Sequence, residues 1–540
     1  MTTGHPPIGR RALAGAAALA LGLVGLGSAA FAADPLAPGN IDPSRTGTLN
    51  IHKLESGSMT DGPGTPNDNV DKTGTGVPGV VFTAYRVTNL DLATQADWNG
   101  LDKVSALSCG ADHKSPSMQL PNGTAATFDV AQGKASEPTG SDGNTSISNL
   151  KVAAYLVCET QAPAKVKKRA EPFFVTIPFP NNTANNATTA DQNWLYTIDV
   201  YPKNTVVEAP TKKIDVNSLG LATEGQITYT VSAKVPSIAA DEQFKYFIIG
   251  DRMSAGQEAG IASVKEVSLA GEKLDSSDYV VTEKDGKLYV SLKNLAALKA
   301  KPNTQVVVTF KTKATRIGEL TNEADLSLDT EKNPTPPTPP VTPPDTPPFP
   351  PTPTNKVFSS WGDAIIVKRD KENQQKLSGA KFEVYAAEAP YAASCEGAKL
   401  TGDAISVNGK TEFTVGAEGT LTIAGLFVDK GTAAVAEDGS FEAVKWENGN
   451  THRCYVLKET AAPAGYVLPA GDAALTPLKV TPNATASSTV DVTIDNTKQN
   501  VPQLPLTGAN GQLLLLIGGS ALILLAFGGA FVLRRHGKQG

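Results

Sequence analysis

A lysine, an asparagine and a carboxylic acid become a reactive set when a fold buries them together. An unpaired lysine is costly to bury, and burial favours its neutral amine over the ammonium. Burial likewise favours an uncharged carboxyl. A neutral amine beside an amide carbonyl, with a protonated acid hydrogen-bonded to it, can close a Lys–Asn isopeptide bond and expel ammonia. The segment Ala364-Ile365-Ile366-Val367-Lys368 supplies such a lysine. With a side-chain period of two, Ala364, Ile366 and Lys368 share one inward face. Near the end of the chain Val492, Ile494 and Asn496 do the same, and Glu459 is the candidate acid. The alternative is a buried, hydrogen-bonded cluster without the covalent bond.

A second amine of interest closes the stretch from Asn193 to Asn204, which alternates like a β-strand and ends at a proline. Trp194, Tyr196, Ile198 and Val200 share a face, Asn204 falls on the same inward set, and Lys203 is expected to point to solvent. On its own, Tyr201-Pro202-Lys203 reads as the end of an edge strand with a surface lysine. The carboxyl end changes its meaning. Leu504-Pro505-Leu506-Thr507-Gly508 precedes an uncharged run from Leu513 to Leu533, followed by Arg534, Arg535, His536 and Lys538. As a helix that run would extend about 30 Å, enough to cross a bilayer, with the basic tail held in the cytoplasm. An ordinary membrane anchor would share the span and the tail but has no need of the pentapeptide.

The elements that must position these groups follow from composition and repetition. At 540 residues the chain exceeds one core and suits three or four domains. Lysine plus arginine number 48 and acids 54, a net charge of −6 that offers nucleic acid no electrostatic footprint. Residues 1–32 read as a secretory signal: Arg10 and Arg11, an apolar stretch from Ala12 to Ala30, and the small-residue pattern Ala30-Phe31-Ala32. The mature chain is therefore expected outside the cytoplasm, where cysteines oxidise. Two of the four cysteines precede Pro210 and two follow the proline-rich segment, so Cys109–Cys158 and Cys395–Cys454 are the natural pairs among three possibilities. Each bridge would contribute about 3–4 kcal/mol. Cysteine spacing matches no zinc site. His5, His52, His113, His452 and His536 show neither metal nor triad spacing. Neither an enzyme nor a cofactor is expected.

The chain repeats itself. Leu49–Lys53 followed by Gly79–Tyr85 returns as Ala364–Lys368 followed by Gly379–Tyr385, and Tyr155–Pro163 returns as Tyr455–Pro463. Aligning the copies adds Lys53, Glu159 and Asn204 to the reactive sets. Between them, residues 206–332 hold a third series of short alternating runs, so the plan is all-β, three tandem immunoglobulin-like sandwiches. Here parity with Ile214 and Val216 selects Lys212, with Lys213 the neighbouring alternative and Asn322 the candidate amide. Twelve prolines fall among the twenty-one residues of Pro334–Thr354, a composition expected to form an extended polyproline spacer or, less commonly, a docking site for a proline-binding partner. The expected divisions are 1–32, 33–205, 206–332, 333–355, 356–500 and 501–540.

Three features together resemble sortase-assembled pilins of Gram-positive bacteria. The pentapeptide, apolar span and basic tail resemble a cell-wall sorting signal, which implies cleavage between Thr507 and Gly508. Trp194, Ile198, Val200, Tyr201, Pro202 and Lys203 match the pilin motif, which implies Lys203 as the amine that receives the threonyl group of the next subunit. Glu459 and Glu159 match the acid of the so-called E-box of collagen-binding-protein B-type domains, and Asp251 is the acid of the middle set by the same resemblance. Similarity to the major shaft subunits of Actinomyces and corynebacteria covers nearly the whole chain. It implies identical subunits, pilus-specific and housekeeping sortases, tip or minor pilins, peptidoglycan and a host or bacterial surface receptor as partners. The implied role is a wall-anchored fimbria serving adhesion and biofilm formation. A monomeric wall-anchored adhesin is the other reading; it would not require Trp194 to Lys203.

Overall fold

The computed structural model describes residues 41–57, 74–181, 194–222, 226–253, 263–332, 339–436, 439–483, 489–499 and 515–524. The expected signal at 1–32 and the pentapeptide 504–508 lie outside them. Of the expected span, residues 515–524 are helical. Among the described residues no helix is long and apolar enough to cross a membrane.

The chain is all-β. In the first region Thr46–His52 is the middle strand of a three-stranded sheet, parallel to Thr197–Val200 and antiparallel to Asn144–Lys151. The facing sheet places Ala153–Gln161 between Phe173–Ile177 and Val81–Arg86. Alternation does the sorting: Leu49 and Ile51 from one sheet and Phe82, Ala84, Tyr155 and Val157 from the other meet in a buried core. The cysteines pair as Cys109–Cys158 and Cys395–Cys454, each beneath a smaller cluster of buried residues.

The stretch expected to be one strand from 193 to 204 is three short ones, Trp194–Leu195, Thr197–Val200 and Lys203–Val206. Pro202 cannot donate to a ladder, so pairing breaks there. Beyond the break the chain runs parallel to Leu54–Glu55, with Lys203 opposite Leu54. Lys203 is consequently half-buried, not the fully exposed residue that alternation suggested.

The proline-rich segment also departs from expectation. Within its described part, 339–355, it folds back on the middle region. The Pro340 carbonyl accepts from Ser291 Oγ at 2.7 Å, Asp345 faces Lys284, and Thr352–Pro353 pairs with Asp325 and Leu326. Proline tolerates such an edge because its missing N–H can face away from the ladder. The flanking regions are not held apart. Gly318–Lys332 pairs directly with Lys356–Asp370, making one nine-stranded sheet and one contiguous apolar core across the middle and last regions. A second seam reinforces it: Leu221 N donates to Gly425 O, and Leu221 O accepts from Asn408 N, both at 2.9 Å. Gly425 sits at φ +110°, and a Cβ there would lie 2.2 Å from Leu221 Cγ, so only glycine admits this side chain.

Candidate cross-link sites and the pilin-motif lysine

All nine residues of the three proposed sets are buried, none more than 4% exposed. In the last region, strand Lys356–Asp370 runs parallel to Val492–Asn496 with Asp370 opposite Asn496, which places Lys368 diagonally beside that asparagine. Lys368 Nζ contacts Asn496 Oδ1, and Asn496 Nδ2 donates to Glu459 Oε1 at 2.8 Å. Glu459 Oε2 lies 3.4 Å from the same amine. Burial pulls the Lys368 amine below its usual range, and the Glu459 charge opposes that only in part. The amine, amide and acid therefore close a triangle with the nucleophile at the carbonyl.

The first region repeats the register. Glu55 stands opposite Asn204 as Asp370 stands opposite Asn496, each two residues beyond its lysine. The acids match too. Phe82 pairs with Glu159 and Phe382 with Glu459, each next to a register shift. Asn204 Nδ2 donates to Glu159 Oε1 at 2.9 Å, but Lys53 Nζ rests on Glu159 Oε2 at 3.1 Å, and Asn204 Oδ1 accepts no hydrogen bond among the described residues. Glu159 is held further by Ala170 N, which donates to Oε2 at 3.1 Å. Burial draws the Lys53 amine down to about 8, partly offset by Glu159.

In the middle region Lys212 is buried and Lys213 exposed, which separates the two candidates. Lys212 Nζ contacts Asp251 Oδ2 and lies 4.5 Å from the centre of the Tyr229 ring. Burial lowers its affinity for a proton, against the attraction of Asp251. Asn322 Nδ2 donates to Arg252 O at 3.1 Å, and Asn322 Oδ1 accepts nothing among the described residues. Sequence reading missed Asn355. Its side chain takes Lys212 N (2.7 Å) and gives to Lys212 O (2.9 Å), while neighbouring Thr354 bonds Ala324. The end of the proline-rich segment thus ties the lysine strand to the asparagine strand. An asparagine after a proline run carries no signal for that task.

Of the motif residues around Lys203, Ile198 is buried, while Trp194, Val200, Tyr201 and Pro202 are half-buried. Trp194 packs on Trp98 at 5.1 Å between ring centres. Cys395, His452 and Cys454 cluster closely enough for a metal, but the two thiols are spent in the disulfide.

Tandem strand frameworks with repeated lysine–acid–asparagine sets, ahead of a sorting pentapeptide, define a Gram-positive pilin subunit, and the chain belongs to that family. Residues 44–205 match the Gram-positive pilin subunit D1 N-terminal domain, 362–498 a prealbumin-like fold domain, and 496–538 the LPXTG cell wall anchor motif. It is 36% identical to fimbrial subunit type 2 of Actinomyces naeslundii, over 98% of this chain and 97% of that one. Type 1 of Actinomyces viscosus is 32% identical over 98% of both. The full-length major pilin SpaD of Corynebacterium diphtheriae superposes with a TM-score of 0.59 at 27% identity, covering 86% of this chain and 99% of that one. The protein is thus a sortase-assembled, wall-anchored subunit of a surface fimbria, joined to its own kind and to peptidoglycan.

Proposed function

We propose that this chain is the shaft subunit, polymerised between Thr507 of one copy and Lys203 of the next. A sortase cysteine would take the threonyl acyl group as Gly508 leaves. The Lys203 amine would then attack that acyl carbon, releasing the enzyme and forming an isopeptide bond. Donor and acceptor lie at different places on the subunit, a heterologous arrangement that extends into an open fibre. Pilus-specific and housekeeping sortases, tip or minor pilins and a host or bacterial receptor complete the proposal, with adhesion and biofilm formation as the outcome.

Three tandem domains would carry load along this fibre, each clamped internally: Lys53–Asn204 with Glu159, Lys212–Asn322 with Asp251, and Lys368–Asn496 with Glu459. In each, the amine nitrogen bonds the amide carbon, the carbon–Nδ2 bond breaks, and ammonia departs with a proton passed through the acid. The observation that carries this reading is the contact of Lys368 with the Asn496 carbonyl beside Glu459. The fibre itself is tested by Lys203→Arg. Cell-wall extracts should lose their detergent-resistant ladder, leaving monomer; a persisting ladder refutes the Lys203 assignment.

A further inference from the structure

The outer face of the first sheet carries a polar cluster that the cross-link chemistry does not use, and it abuts the pilin motif. His52 lies between Ile51 and Lys53, on the face opposite to the core. Its Nδ1 is 2.7 Å from Asn144 Oδ1, and its Nε2 is 2.8 Å from Asp199 Oδ1. Asn144 Nδ2 donates to Asp142 at 2.7 Å, which turns the amide oxygen toward the imidazole. Asp199 also accepts from Asn50 at 3.3 Å. Held at both nitrogens, the ring lies flat on Tyr201, with centres 4.7 Å apart and planes within 9°. One side chain therefore ties its own strand to Asn144 and Asp199 on the flanking strands and to the residue that precedes Pro202.

Little slack separates Tyr201 from Lys203. A residue before proline is confined to extended backbone, and proline fixes its own φ. On the far side Leu54 N donates to Pro202 O at 3.1 Å. We propose that His52 is a positioning residue for the intersubunit reaction: its ring seats Tyr201 and, through Pro202, sets the direction in which Lys203 meets the incoming acyl group. The imidazole makes no bond to the substrate. This inference rests on Lys203 being the acceptor amine.

The test uses the full-length chain in detergent, carrying Thr507→Ala so that it can accept but not donate. A Leu-Pro-Leu-Thr-Gly peptide and the pilus sortase supply the acyl group, and mass spectrometry reads its attachment. Lys203→Arg should abolish labelling; if it does not, the acceptor reading fails, whatever His52 does. With that control in place, His52→Ala should lower the maximal rate about tenfold, the scale of a misaligned nucleophile, at an unchanged half-saturating acceptor concentration. His52→Phe, which keeps a ring on Tyr201, should recover to within about threefold of the parent. An alanine variant at the parental rate, or a phenylalanine variant no better than alanine, overturns the proposal. Should His52→Ala not fold, Asp199→Asn loosens the same ring from outside the core; an unaltered rate there counts against it equally.

Discussion

The first and last regions share one register and differ in where the lysine rests. In the last, Lys368 meets the asparagine carbonyl, and Glu459 backs the amide nitrogen. In the first, Lys53 rests on the acid instead, and the carbonyl of Asn204 has no partner among the described residues. The strands explain the difference. Lys356–Asp370 and Val492–Asn496 pair without interruption, whereas Pro202 splits the equivalent ladder between Thr197–Val200 and Lys203–Val206. Beyond the break Lys203 joins a different ladder, opposite Leu54. The lesson is that a proline in one strand shifts the alignment of an amide two residues further on.

The largest effect expected from this contrast is on Asn496→Ala. Removing the carbonyl leaves the buried Lys368 with Glu459 as its remaining partner, which should cost about 1–3 kcal/mol before the lost covalent tie is counted. Intact mass should show one ammonia fewer shed. Asn204→Ala in freshly made protein should change the ammonia deficit much less, because Lys53 rests on Glu159 and not on the Asn204 carbonyl; equal and immediate ammonia loss at both sites would erase the distinction.

Next comes pH. With the Lys53 amine drawn down to about 8 from an unfolded value of 10.5, the folded state binds fewer protons between those limits. The cost of burying Lys53 is full below about 8 and fades as pH rises toward 10.5, so stability before closure increases over that interval. Only the neutral amine attacks, so moving from pH 7 to 9 should speed first-region ammonia loss by roughly tenfold. A time course of intact mass reads this directly, and a flat profile would sever closure from the amine.

The smallest effect is expected from Arg169→Ala. Its guanidinium donates to the Glu159 carbonyl at 2.9 Å. Losing that bond should cost about 1 kcal/mol, seen as a modest drop in the first region's melting with the last region unmoved.

Much of this was legible in the sequence because period-two alternation is a strong signal when one face is buried. It placed Lys212, Lys368, Asn204 and Asn496 inward, as they are found, and the internal repeat transferred the last site onto Lys53 and Glu159. The interruption at Pro202 was less legible, since residues on either side of a break keep the same alternation. Still less so was the fate of the proline-rich segment. Its composition dictates an extended backbone but not whether that backbone stays in solvent or pairs with an edge, which depends on partners far away in sequence. His52 escaped for a related reason: its value lies in a stack with Tyr201 and bonds to Asn144 and Asp199, all distant along the chain.

The seat of Leu221 on Gly425, together with the sheet running through both halves, bears on how a fibre would yield under shear. Bending at that joint would require unzipping ladder bonds and unseating a side chain at once, so flexural compliance there should be low. In a shaft built of such units, curvature would collect away from this joint. The fibre would then deform like a chain of stiff rods, sparing the Lys368 clamp from flexing and leaving tension as its principal burden.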